Sequence, residues 1–404
     1  MPPRLKKPGL KKPVKKEKQK RRRAHEQIPL EILPDGFTPR GERPFPKTGG
    51  PKVRLFSDLC GIESDGQALH GLGCDVEVLG ACDKALPVQK LWIDNFADGE
   101  ARFFQDILRR NHRSVKELGC QDVYTAGFSC QPFSTAGSKA GADDVRSEVI
   151  VHIIQTIQAC VPKCFVLENV EGLVTQHPDV LAWLLKHLKS IGHKAYAVDA
   201  KLLNVKEHGI PHNRSRLLIV GQRKDCMLKK FEWPVEYGCV DMSDVLLPCT
   251  KPATIDDMPP QRAGVNHRNF LVCFERIVNE LNLNPLKSDI VADIDSTNPQ
   301  FQLGISPCLT KARCEMGGHW VFSRGRRLHL EEVCRLFGLS LKNFRKPNAI
   351  TERQFKGLCG NSIPLNILER VFLRLLPSMG ICRSSDLVER WESLAQARLT
   401  MSSL

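Results

Sequence analysis

From Val53 onward the chain alternates two hydrophobic rhythms. Short apolar runs stand at 53–56 (VRLF), 76–81 (VEVLGA), 122–126 (DVYTA) and 164–167 (CFVL). Between them, apolar residues recur every three or four positions over 67–71, 86–96, 149–159 and 179–190. Short apolar runs bounded by turn residues predict buried strands, and the 3.6-residue period predicts helices. Two more strands, over 195–199 and 216–220, flank a turn. Strands alternating with helices predict an α/β fold, a mostly parallel sheet covered on both faces. In such sheets the ligand-binding loops lie at the carboxyl ends of the strands. The peptides CGIES (60–64), ACD (81–83), FQDI (104–107), FSCQPFS (128–134) and LENV (167–170) all fall at or just after predicted strand ends.

Over 222–307 the pattern breaks down. Pro, Asn and Asp recur, and only 270–281 reads as a helix. Helical spacing returns from Arg327 and continues over 354–376, where GNSIP (360–364) opens a helix bearing Ile367, Leu368, Val371, Phe372 and Leu375 on one face. The expected organisation is a disordered basic tail (1–23), a Pro/Gly-rich linker (24–51) and the first part of a large α/β domain (52–221). A small irregular domain (222–325), a returning part of the large domain (326–380) and a C-terminal helix or tail (381–404) complete it.

Composition narrows the class. With 42% hydrophobic and 26% charged residues, the 404-residue chain is neither fully disordered nor fibrous. Its net charge of +14 is uneven: residues 1–23 hold 12 Lys/Arg against the single acid Glu17, leaving +3 for the rest. Lys/Arg interspersed with Pro cannot bury a core, so disorder is expected there. The segment reads as a nuclear import signal or an electrostatic arm for nucleic acid, set against a solvated tail without a partner. Being Lys-rich and Ser-free, it does not read as a transit peptide. The 16 Cys, with no apolar stretch near the N-terminus, are expected to be reduced thiols of an intracellular protein. No CxxC pair occurs, so no metal site is expected. No apolar run approaches the ~18 residues of a membrane span, so no membrane partner is expected.

Three short peptides carry candidate chemistry. Cys130 follows a strand end, between Gly127 and Pro132, where an exposed thiol suits a nucleophile; the competing reading is an inert core thiol. Glu168-Asn169 ends the apolar strand CFVL, a poor place for a core carboxylate unless it faces a cleft or is bonded. Burial there would raise its pKa and let it donate a proton to a ring nitrogen. In PHNRSR (211–216), Arg214 and Arg216 are spaced to share one side of an extended chain and hold a phosphate or ring carbonyl, or else form a surface pair.

In order, the strand-end turn, GF-x-CQPFS, ENV, GIP-x-NR-x-R, RRLHLEEVCRLFG and GNSIP resemble the cytosine-C5 methyltransferase family over residues 53–221 and 326–376. The resemblance implies a Rossmann-like S-adenosylmethionine methyltransferase domain with a small target-recognition domain. It implies Cys130 as the nucleophile that adds to C6 of cytosine and Glu168 as the contact to N3 and the exocyclic amine. Arg216 would contact the ring carbonyl, Arg214 would support the loop, and Asn169 would hold the loop after ENV. Gln131, Ser134 and Arg146 match positions on a loop that closes over the target. For the cofactor it implies the turn 59–64, with Leu59, Gly61 and Ile62. Asp83 matches the acid on the ribose hydroxyls, Asp106 and its neighbour Ile107 the adenine site, and Asn361 and Ser362 the methionine end.

The turn reads Gly61-Ile62-Glu63-Ser64 where the family loop reads GxGG. Leu59 and Lys84 stand where aromatics are usual, Ser129 where Pro is usual, and His212 where Gln is usual. The implied substrate is DNA and the implied compartment the nucleus, reached by import machinery through the basic tail. Two alternatives stay open: cytosine-C5 methylation of transfer RNA, and a non-catalytic DNA-binding paralogue. Arg324, Arg326 and Arg327 either contact phosphates across the cleft or form a solvated basic turn.

Overall fold

The computed structural model describes residues 47–96, 101–128, 145–249, 251–341 and 346–392. The first half runs β1 (Lys52–Asp58), α1 (Ser64–Gly71), β2 (Asp75–Cys82), α2 (Leu86–Phe96), β3 (Arg102–Phe104), α3 (His112–Lys116), β4 (Val123–Gly127), α4 (Val145–Cys160) and β5 (Cys164–Val170). It continues through α5 (Gly172–Thr175), α6 (Pro178–Lys194), β6 (Tyr196–Asn204), β7 (His208–Gly209) and β8 (Ser215–Arg223). Seven strands form the main sheet in the order β3-β2-β1-β4-β5-β8-β6. Pairing is parallel from β3 to β5, and β8 runs antiparallel to both β5 and β6. The chain leaves β1 toward β2 and β3, then returns to place β4 on the other side of β1. The carboxyl ends of β1 and β4 therefore border a topological switch point, where such sheets bind ligands.

Both faces of the sheet are covered, as near-continuous apolar strands require. On β5, Cys164 and Val166 enter one core while Phe165 and Leu167 enter the other; on β8, Leu218 and Val220 alternate likewise with Leu217 and Ile219. One core includes Ala68 and Leu69 of α1 and Leu91 and Trp92 of α2, the other Ile153 and Ile157 of α4 and Leu184 and Leu188 of α6.

Beyond β8 come β9 (Gly238–Cys239), α7 (Met242–Val245), α8 (Val265–Leu281), β10 (Ile290–Asp293), β11 (Gln300–Leu303), α9 (Lys311–Glu315), β12 (Trp320–Val321) and β13 (Arg326–Arg327). β11-β10-β12-β13 form a second sheet that packs with α8 around Phe270, Cys273, Ile277, Ile290, Trp320 and Phe322. Helices α10 (Leu330–Leu336), α11 (Glu352–Asn361) and α12 (Leu365–Ser378) then rejoin the α1 face, contributing Val333, Phe355, Leu368 and Phe372.

The apolar rhythm locates the long elements to within a few residues. It misses β3, whose three residues are too few to show a period, and β10 and β11, which are only four residues long each. The continuous helical spacing over 354–376 resolves into α11 and α12, with GNSIP closing the first and leading into the second. Pro364 cannot continue the hydrogen-bond ladder, and it stands at the N-cap of α12.

Candidate active site

Glu168 and Asn169 close the buried part of β5, and the antiparallel partner β8 carries Arg216 opposite Val170. The Arg216 Nε lies 2.8 Å from Glu168 Oε1, and both side chains are about one-tenth exposed. Burial pushes the Glu168 carboxyl above its ordinary range, and the pull of Arg216 and Arg214 in the other direction does not cancel it. A carboxyl held this way keeps a proton to a higher pH than a surface Glu and can lend it to a base.

The neighbouring strand supplies the loop that leads to Cys130. The Phe128 amide donates to the Glu168 carbonyl at 3.2 Å, and Asn169 Nδ2 donates to the Phe128 carbonyl at 2.9 Å. Asn169 Oδ1 accepts from the Val170 amide at 2.8 Å. Asn169 therefore ties the end of β5 to the start of the FSCQPFS loop as well as holding its own turn. A Cβ on Gly127 would stand 3.5 Å from Glu168 Oε2 and 3.6 Å from Ile363, so GF, ENV and GNSIP meet at one point. Ser129, Cys130, Gln131 and Ser134 lie outside the described residues, as does the Arg146 side chain.

Arg214 does something other than the i, i+2 spacing predicts. It precedes β8, turns inward and is 1% exposed. Nη1 donates to the Leu309 carbonyl at 2.8 Å; Nη2 donates to the Gly360 and Ser362 carbonyls at 3.1 and 3.0 Å. Its guanidinium also stacks over Phe337, 5.0 Å from the ring centroid. Burial and the adjacent Arg216 lower its pKa to about 10, so it remains charged at neutral pH. A buried cation whose two terminal nitrogens are engaged by three carbonyls is a strut joining GNSIP to the segment around Leu309, and it presents no exposed fork to a ligand.

His212 completes this strut. Its Nε2 accepts the Leu309 amide at 3.0 Å and its Nδ1 lies 3.0 Å from the Leu336 carbonyl, so the neutral ring with a proton on Nδ1 serves both. Burial and Arg214 hold its pKa well below the usual imidazole range. Gly360 is required here: a Cβ would come within 2.7 Å of the Lys311 backbone. Replacing Arg214 with alanine leaves three buried carbonyls unpaired. A stability loss of roughly 3 kcal/mol or more is expected in chemical denaturation. A stability within about 0.5 kcal/mol of wild type would refute the strut.

The cofactor-type residues border the switch point. Leu59 and Glu63 take left-handed backbone conformations, both at φ 56°, as does Gly61 at φ 53°. That geometry is what a glycine-rich turn accommodates without strain, and here two non-glycine residues adopt it. Space above Gly61 is open: a Cβ there would meet nothing within 4 Å. Asp83 follows β2 and accepts the Ala85 amide at 2.8 Å and the Gly61 amide at 3.2 Å. Burial raises its pKa despite these two bonds. Asp106 follows β3 and accepts the Leu108 amide at 3.0 Å, while Ile107 is buried beside it. Asn361 is exposed at the end of α11, and Ser362 is buried with its hydroxyl donating to the Cys359 carbonyl at 2.7 Å. Open space over the turn, with acids after β2 and β3, fits an adenosyl cofactor lying across these strand ends.

The basic triplet is already engaged. Arg324 pairs with Asp289 at 3.3 Å, Arg326 with Glu332 at 2.8 Å and Arg327 with Asp295 at 2.7 Å. Neither a free phosphate clamp nor a solvated turn describes them, because the fold brings an acid to each. Sequence reasoning also misses Ser57, Asp65 and Thr125, which gather behind the turn, and the buried Asp58–Arg110 pair on the opposite face of the sheet. Ser57 and Thr125 share a register across β1 and β4, a signal that only strand pairing supplies.

A family model described as C-5 cytosine-specific DNA methylase matches residues 53–376. An orphan methyltransferase of Bacillus phage rho11s is 30% identical over 192 residues, 47% of this chain and 37% of that protein. The chain thus aligns with well under half of that relative's length. A type II methyltransferase of Haemophilus parahaemolyticus is 24% identical over 330 residues, covering 80% of this chain and 93% of its own. Among solved structures, a mutant DNMT2 of Spodoptera frugiperda superposes with a TM-score of 0.57 at 15% identity, covering 80% of this chain and 99% of that one. The S. pombe Dnmt2 methyltransferase gives 0.53 at 19%, covering 80% and 98%. These two likenesses establish the Rossmann-like methyltransferase fold.

Proposed function

Because this chain belongs to the C-5 cytosine-specific DNA methylase family, we propose that it transfers a methyl group from S-adenosylmethionine to C5 of cytosine in DNA. The observation that carries the reading is the Glu168–Arg216 pair, held where the GF, ENV and GNSIP peptides converge beside the switch point.

The chemistry needs three things from the chain. C5 of a pyrimidine is a poor nucleophile until C6 is saturated, so a thiolate must add to C6, and Cys130 is placed in sequence to do so. Electron density then moves toward N3, where Glu168 supplies a proton and Arg216 holds the ring carbonyl. S-adenosylmethionine, when bound, supplies the electrophilic methyl group. Loss of the C5 proton and of Cys130 restores the aromatic ring. A base inside a duplex cannot reach this site, so it must be flipped out at a cost of about a few kcal/mol. Asp83 and Asp106 are the groups that would hold the ribose and adenine, with Ser362 and Asn361 bordering the methionine end. The basic segment 1–23 supports a nuclear site of action and a salt-sensitive hold on phosphates.

The test uses DNA in which cytosine carries fluorine at C5, incubated with S-adenosylmethionine. Fluorine cannot leave as the C5 proton does, so a working enzyme is trapped. A covalent, denaturation-resistant protein–DNA adduct is expected. An adduct formed only with fluorinated RNA would replace DNA by RNA as substrate. No adduct with either, while DNA still binds, would leave a binding paralogue.

A further inference from the structure

Among the described residues, buried acids find arginine partners at several places in the fold, but not at the turn after β1. Asp58 pairs with Arg110, Glu332 with Arg326 and Glu369 with Arg390. Glu63 is fully buried, yet among the described residues it faces Asp65 instead of a cation. Its Oε1 accepts from the Ser57 hydroxyl at 3.0 Å, while among the described residues its Oε2 finds no hydrogen-bond partner. Ser57 has one proton to give and also contacts Asp65 and Thr125, and Thr125 donates to Asp65. The Cys60 thiol beside Glu63 is a weak donor. A buried carboxyl with an unpaired oxygen is costly unless something compensates it. Glu63 is also held in a left-handed conformation that a glycine would adopt without strain.

Strand order says what the compensating group is. The acids that follow the strands stand in series across the sheet: Asp106 after β3, Asp83 after β2, Glu63 after β1. With adenine at the first and ribose at the second, the third meets the methionine end of the cofactor, next to β4 and the loop that carries the nucleophile. That end bears a sulfonium, an ammonium and a carboxylate, with one net positive charge.

We propose that the Glu63 carboxyl is a cation subsite for the positively charged methionine end of S-adenosylmethionine. The inference rests on the methyltransferase reading above. It has a consequence for pH. Burial and the neighbouring Asp65 push the Glu63 carboxyl well above the usual carboxylate range, so the ligand-free site keeps a proton to a higher pH than a surface carboxyl does. The cofactor cation takes that proton's place, and cofactor affinity therefore rises with pH. The other titratable groups beside Glu63 are Cys60 and Asp65, both raised by burial.

The experiment is calorimetric titration of the full chain and of Glu63→Gln with S-adenosylmethionine and with methylthioadenosine. The latter keeps the adenine and ribose but carries none of these charges, so the affinity ratio of the two cancels the contribution of Asp83 and Asp106. In the wild type the ratio is expected to rise with pH over the range in which the cofactor's own ammonium stays charged, below about pH 7. In Glu63→Gln it should be flat and about 10- to 100-fold lower. S-adenosylhomocysteine, which keeps the ammonium and the carboxylate but lacks the sulfonium, assigns the contact: an equal loss points to the ammonium, a smaller one to the sulfonium. An unchanged ratio in Glu63→Gln overturns the subsite. If that variant does not fold, a pH-independent ratio in the wild type overturns it as well. A wild type that binds neither adenosyl compound overturns the methyltransferase reading itself, and the subsite with it.

Discussion

Replacing Cys130 with alanine is expected to lower methyl transfer by ~10⁴-fold or more while leaving cofactor affinity within about twofold of wild type. The size follows from the chemistry: without covalent addition at C6, C5 has almost no nucleophilic character, and no other step can compensate. The described structure fixes the start of the loop that carries this thiol. Phe128, two residues before Cys130, donates to the Glu168 carbonyl and accepts from the Asn169 side chain. The strand carrying Glu168 thus anchors the nucleophile loop where it begins. Single-turnover transfer of radiolabelled methyl groups to DNA measures the rate, and the fluorinated-DNA adduct should disappear in parallel. Retention of more than about one-tenth of the wild-type rate would remove Cys130 from the reaction.

Glu168→Gln is expected to lower kcat/KM by ~10²- to 10⁴-fold and to change the shape of the pH profile. In the proposed reaction the carboxyl serves N3 in its protonated form, and burial raises its pKa in that direction. The sign is then set. Activity falls toward alkaline pH as Glu168 loses its proton. Glutamine can still hydrogen-bond to the ring but has no proton to transfer, so the descending alkaline limb should vanish along with most of the rate. A Glu168→Gln enzyme that kept the alkaline limb would assign it to another group. The Arg216 contact argues for glutamine over alanine as the test, because removing the carboxylate's bulk as well would leave a gap beside a buried guanidinium.

The two effects are separable from the structural role of Arg214. Arg214 and Arg216 look equivalent in NRSR, and the extended spacing suggests that both face a ligand. Only Arg216 points to the carboxylate. Arg214 stands one residue before the strand begins, where the chain is turned by contacts with the Leu309 and Ser362 segments. Residues 95 and 148 positions away therefore decide its direction. No local rule carries that information. The same holds for His212, whose two ring nitrogens bridge Leu309 and Leu336.

Much of this protein was determined by sequence alone. The apolar runs and helical periods require a parallel α/β sheet, because four continuous hydrophobic strands need cover on both faces. The chemistry-bearing peptides lie at strand ends, and their order specifies the family. What only the tertiary structure decided are the partners of charged groups. Arg324, Arg326 and Arg327 read as a free basic patch and are each paired to an acid brought in by the fold. Glu63 reads as a degraded glycine position and becomes a buried carboxyl that meets no cation among the described residues, at the end of β1 between β2 and β4. The physical reason is range. Burial and periodicity are written in neighbouring residues, whereas the charge balance of a site depends on which distant strands lie side by side.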